Sequence, residues 1–232
     1  IYVHENRVSE AESFRRAIKV FQQLSAFAPP EKRFRMIAVS WPTPRIGHRQ
    51  RPDVQIKAQR SEVHGFYLAW LVDQIHPDVP ISLFGDSYGP RMITASLHCL
   101  AGGSIRGQYL SQRTNPTRRP VRAVFMAAAL DAHWLSPGQR YGLALSQVEH
   151  MLVTVNPTDE ALRWYPRMYT LLPKGASALG YVGLPSRCLG GENGGKVVQW
   201  NVSCIVGRTH SWEVYEGSSR IMQQITPHLF GA

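Results

Sequence analysis

Short β-branched runs alternate with longer stretches of helical periodicity along the whole chain, and that alternation leaves few folds open. The runs "IYV" (1 to 3), "FRMIAVSW" (34 to 41), "ISLF" (81 to 84), "VRAVFMAAAL" (121 to 130), "MLVTV" (151 to 155) and "VVQWNVSCIV" (197 to 206) read as strands. Between them, residues 12 to 28 set Phe14, Ile18, Phe21 and Leu24 at helical spacing, and residues 53 to 75 do the same with Val63, Tyr67, Trp70 and Leu71. A helix from Tyr88 to Leu100 stops at Gly102-Gly103, a short one spans 137 to 150, one over 159 to 172 is disturbed at Pro166, and one over 211 to 230 breaks near Gly217. Strands separated by helices pair in parallel, and a parallel sheet needs cover on both faces. The pattern predicts one α/β domain over residues 1 to 232, doubly wound, with at least six strands.

The bulk numbers narrow the class. A hydrophobic content of 44% suffices for a sizeable core, and no stretch reaches the roughly 20 apolar residues of a membrane-spanning helix. The three cysteines, Cys99, Cys188 and Cys204, are odd in number and widely spaced, which reads as buried free thiols in a reducing compartment such as the cytoplasm, with neither a disulfide nor a metal site. The formal charge is +10. Much of the basic excess sits at Arg45, His48, Arg49, Arg51, Arg106, Arg113, Arg118, Arg119 and Arg122, without interleaved aromatics or a reading helix, so a solvated basic surface is expected rather than nucleic-acid binding. Asn201-Val202-Ser203 matches a glycosylation sequon, but it falls in a strand expected to be buried and is discounted.

One stretch carries chemistry. In "ISLFGDSYGPRM" (81 to 92) a serine stands between two glycines where a strand hands over to a helix. A serine hydroxyl attacks a carbonyl only if a base takes its proton and its oxygen is exposed. A sharp strand-to-helix turn exposes it, but brings strand and helix so close that the positions two before and two after must lack side chains. Gly85 and Gly89 meet that demand, and Pro90 suits the first helical turn, where its missing N–H has no partner to lose.

With these residues in place the chain resembles an α/β-hydrolase over nearly its full length, Gly85 to Gly89 standing as the nucleophile elbow and the fold's first strands falling upstream of Ile1. Within that superfamily it is similar to small esterase-like hydrolases of unassigned substrate. The resemblance implies the order nucleophile, acid, base. Ser87 is then the nucleophile, and His210 in "VGRTHSW", after the last strand, the base. The acid belongs after the strand before the last, at Asp159, with Asp131 as competitor and Asp86 a distant third. Asp159 has a plain alternative role as a helix cap. The oxyanion hole implied is the Tyr88 N–H together with that of Glu5 or Asn6, and His4 shapes the oxyanion loop. Many relatives carry glycine where this chain has Glu5, whose charge would repel a developing oxyanion unless it is turned away.

The expectation is therefore a serine hydrolase cleaving an ester or related acyl bond through an acyl-enzyme on Ser87, with no cofactor and no metal, acting on a small acyl substrate. The alternative is a catalytically silent binding protein of the same fold, with Glu5 filling the oxyanion site. The pocket walls would come from residues 41 to 53, 103 to 120, 129 to 140 and 173 to 196, and the aromatics expected near the cleft are Trp41, Tyr88, Trp134 and Trp212.

Overall fold

The computed structural model describes residues 1–110, 120–169, 176–193 and 195–231. Arg113, Arg118 and Arg119, and parts of the expected walls 103 to 120 and 173 to 196, lie outside them. Six strands, β1 (Tyr2–Val3), β2 (Ala38–Val39), β3 (Ser82–Asp86), β4 (Val121–Met126), β5 (Val148–Val155) and β6 (Val197–Asn201), form a single sheet in the order β2-β1-β3-β4-β5-β6. Every pairing is parallel. The helices are α1 (Glu10–Phe27), α2 (Gln50–Gln74), α3 (Gly89–Leu100), α4 (Glu160–Arg163), α5 (Tyr165–Tyr169), α6 (Leu179–Val182), α7 (Ser203–Val206), α8 (Trp212–Gly217) and α9 (Ser219–Phe230).

The sheet separates two cores, as a doubly wound fold requires. Along β4, Val121, Ala123 and Phe125 face the core shared with α2 and α3, while Val124 and Met126 face the one shared with α1, α8 and α9. A strand buried on both sides has no polar face to alternate with, so it reads as one apolar run.

Both long helices turn a different side inward from the one their large apolar residues suggest. In α1 the buried stripe is Ser13, Ala17, Val20 and Leu24, and Phe14, Ile18 and Phe21 stand exposed. In α2 the buried side runs through Val54, Ala58, Ser61, Gly65, Leu68 and Val72 and also takes in Asp53, Lys57 and Glu62, while Tyr67 and Trp70 are exposed. Close approach decides this. A Cβ on Gly65 would lie 2.5 Å from Ala95 Cβ and 2.7 Å from Met92 O of α3, so small residues form the seam.

Other boundaries move for local reasons. The strand expected over 34 to 41 is reduced to an edge strand of two residues. The helix expected over 137 to 150 is only a 3-10 turn at Ala144–Gln147, and β5 starts earlier, at Val148. Asn201 Oδ1 accepts from Ser203 N–H and Oγ–H, an Asx turn that ends β6 and leads into α7, so the strand does not run to 206. Asn201 is exposed, so burial is no ground for dismissing its sequon. Cys99 and Cys188 are buried, whereas Cys204 is exposed. No described helix is long and apolar enough to cross a membrane.

Candidate active site at the β3–α3 turn

Ser87 occupies the turn between β3 and α3 with φ of 51°, a left-handed conformation that a residue with a side chain adopts only where its surroundings enforce it. The surroundings here are backbone bonds. Ser87 N–H donates to Met126 O at 2.9 Å, and Ala129 N–H donates to Ser87 O at 2.8 Å, tying both sides of the peptide to the end of β4. The flanking glycines are required. A Cβ on Gly85 would meet Gly89 C at 2.9 Å and Pro90 N at 3.0 Å, and one on Gly89 would meet Val3 O of β1 at 2.1 Å. The Tyr88 and Gly89 N–H groups open α3, where no intrahelical acceptor exists for them.

His210 arrives from the far side of the sheet. After β6 the chain forms α7, turns at Gly207 with φ of 64°, and brings the imidazole over the elbow, Nε2 lying 2.9 Å from Ser87 Oγ and Nδ1 2.7 Å from Asp159 Oδ2. Asp159 is fully buried. A carboxylate only accepts, so Nδ1 carries the proton and the Nε2 lone pair faces the Ser87 hydroxyl. Burial opposes an imidazolium, but the Asp159 hydrogen bond and charge, with Glu5 adding to them, outweigh it and hold His210 above its ordinary value.

The two competing acids are separated by this geometry. Asp159 faces His210 and also caps α4, its Oδ1 accepting from Leu162 N–H at 2.9 Å. Asp131 accepts from Tyr165 Oη–H at 2.6 Å, which in turn accepts from Arg91 at 2.7 Å, within a buried network that includes Glu62. Asp86 lies beneath the serine and accepts from Tyr2 Oη–H at 3.0 Å. Its burial, then the nearby Glu5, raise its carboxyl well above the usual range.

Several residues that sequence reasoning missed hold the two loops together. Asn156 Nδ2 and Thr158 Oγ1 both donate to Gly207 O, at 2.9 and 2.8 Å, and Glu160 N–H donates to Arg208 O at 3.1 Å. The signal available was the polar run "NPT" (156 to 158) directly before the expected acid.

The loop after β1 forms the near wall. Glu5 borders the narrow recess at Ser87 and His210, together with Asp86, Met126, Ala127, Trp212 and Tyr215, whereas Asn6 does not line it and turns its Oδ1 to Arg7 N–H. Glu5 is paired with Arg16 of α1. His4 is buried, its Nδ1 2.8 Å from Glu5 O, and Trp41 Nε1–H donates to the main-chain His4 O at 3.0 Å. Of the aromatics expected at the cleft, only Trp212 borders the recess. Trp41, Tyr88 and Trp134 are buried, Trp41 stacked between His4 and Tyr88, and Trp134 beneath Arg91. A wider groove of about 700 Å³ lies between α1 and the β1–β2 edge, lined by His4, Ser13, Phe14 and Val39 among others, but it contains neither Ser87 nor His210.

Among the described residues no group of three or more metal-ligating side chains converges. Comparison with family models, with curated proteins and with solved structures finds no match.

Proposed function

We propose that this protein is a serine hydrolase of the α/β-hydrolase kind, cleaving an ester or related acyl bond. The observation that supports the reading is the Ser87–His210–Asp159 chain, 2.9 and 2.7 Å in its two steps, set on a serine with φ of 51°.

In this reading Ser87 Oγ bonds to the acyl carbon while its proton passes to His210 Nε2, and the carbonyl π pair moves onto oxygen. The oxyanion is met by N–H groups of the first turn of α3, chiefly that of Tyr88. Collapse expels the leaving oxygen, which takes the proton from His210 and departs as an alcohol. Water then attacks the acyl-enzyme, gives its proton to His210, and the returning proton frees Ser87 with release of the acid. Asp159 keeps Nδ1 protonated throughout and stabilises the imidazolium.

Labelling with a fluorophosphonate probe, followed by mass spectrometry of the modified peptide, tests it. A single adduct on Ser87, lost in Ser87→Ala with the fold kept, is expected. A folded protein that stays unlabelled from pH 6 to 9 favours the silent binding protein instead.

A further inference from the structure

Arg16 closes the second turn of α1, and its side chain is 12% exposed. Its guanidinium reaches three separate parts of the chain. Nη1 pairs with Glu5 Oε1 of the loop after β1, Nε and Nη2 donate to Glu12 Oε1 at 3.1 and 2.7 Å, and Nη2 donates to Glu213 Oε1 at 3.2 Å in the first turn of α8. That helix begins two residues after His210. Glu213 is fixed in turn, its Oε2 accepting from Ser211 Oγ–H.

We propose that Arg16 is a positioning residue for the hydrolase chemistry described above, tying the loop after β1, which walls the recess through Glu5, to the loop that carries His210, and pairing with Glu5 beside the imidazole. The inference rests on that functional reading. Its physical basis is the planar fork of the guanidinium, which can serve several carboxylates in fixed directions where a lysine ammonium acts as a point charge.

The charges around His210 make the role testable apart from simple support of the fold. Asp159 faces the imidazole from the β5 side and Glu5 from the β1 side. Around Glu5 stand Arg16 and Glu12 on α1, Glu213 on α8 and Asp86 on β3. Arg16 is the cation that pairs with Glu5 in this cluster. Burial pushes the Glu5 carboxyl up against its hydrogen bond and charge pairing with Arg16; over the pH range where Glu5 is ionised, removing Arg16 leaves an unpaired carboxylate next to His210, which favours the imidazolium and moves the base's ionisation to higher pH. It also unties two loops whose relative placement sets the attack geometry, where displacements near 1 Å cost on the order of 100-fold.

The experiment compares wild type, Arg16→Gln, Arg16→Lys and Arg16→Gln with Glu5→Gln, reading the rate of fluorophosphonate labelling from pH 5 to 9 and the His210 imidazole titration by NMR, with thermal unfolding followed in parallel. Arg16→Gln is expected to label Ser87 roughly 10- to 100-fold more slowly, with the acid limb and the imidazole titration both moved to higher pH. Adding Glu5→Gln removes the carboxylate and moves both back to lower pH while labelling stays slow. Arg16→Lys keeps the limb near wild type yet labels slowly, because charge is retained and the fork is lost. Unchanged rate and limb in a folded Arg16→Gln overturn the proposal, and so does slow labelling with an unmoved limb, which reduces Arg16 to a support of the fold. A wild type that never labels overturns the hydrolase reading instead. The imidazole titration then judges the clamp by itself, and an unshifted His210 in Arg16→Gln overturns it.

Discussion

Asp159 divides its two carboxylate oxygens between His210 and its own helix: Oδ2 lies 2.7 Å from His210 Nδ1, and Oδ1 accepts from Leu162 N–H at 2.9 Å. The capping role and the histidine-orienting role are therefore not alternatives. The cap fixes the carboxylate's direction, and the direction is what the imidazole needs.

Asp159→Asn separates the two roles, because an asparagine oxygen still caps α4 while its amide cannot hold Nδ1–H in a charged hydrogen bond. Turnover on a simple ester is expected to fall on the order of 10⁴-fold, as in the best-studied triad, with little change in melting temperature. Asp131→Asn is expected to behave oppositely: near-normal turnover and lower stability, since it disturbs the buried Tyr165–Arg91 network. A crippled, folded Asp131→Asn beside an active Asp159→Asn would remove Asp159 from the site.

In the proposed reaction His210 acts as a base only when neutral. With His210 held above its ordinary value of 6.5 by Asp159 and Glu5 against burial, activity is expected to rise with pH through a midpoint above 6.5. The corresponding stabilisation by the imidazolium is complete below the unfolded value and is lost as pH rises through the folded one. A labelling-rate profile with its acid limb at or below 6.5 contradicts this.

Asp86 carries the same sign for a different reason. Burial raises its carboxyl in the folded state, so its contribution is fully present below its unfolded value of 3.8 and is lost as pH rises through the raised value. Asp86→Asn keeps an acceptor for Tyr2 and has no proton to lose. Urea midpoints at pH 5 and pH 8 are expected to show wild type weakening with rising pH relative to the variant, and equal pH dependence of the two would contradict this.

The glycines of the elbow are expected to be far less replaceable than those of open turns. Gly89→Ala drives a methyl to 2.1 Å from Val3 O and is expected to cost about 3 kcal/mol or more, whereas Gly138→Ala, with open space but φ of 74°, is expected to cost about 1 kcal/mol. Equal costs by urea denaturation would show that β1 and α3 are not in the close contact described.

Thiol titration separates the cysteines. In the native protein Cys204 alone is expected to react rapidly with an aromatic disulfide reagent, and all three after denaturation, because Cys99 and Cys188 are buried.

The sequence by itself determined the alternation of strand and helix, and with it the parallel sheet and the turn at Ser87. Those are local matters: β-branched runs, helical spacing, and two glycines whose absence of side chains is visible residue by residue. It also set Asp159 and His210 in the connections that follow β5 and β6, and a parallel sheet brings the C-terminal ends of its strands to one edge. What only the tertiary structure decided is what each surface faces. The helix α2 buries Asp53, Lys57 and Glu62 and exposes Tyr67 and Trp70, since the seam against α3 selects for small volume at Gly65 rather than for hydrophobicity, and such a seam has no periodic apolar signature. The same holds at the site. Asp159 is distinguished from Asp131 by a 2.7 Å contact across 51 residues, and Arg16 meets Glu213 across 197. Pairings that distant leave no trace in local composition, because they are made by the packing of helices onto the sheet and by nothing nearer along the chain.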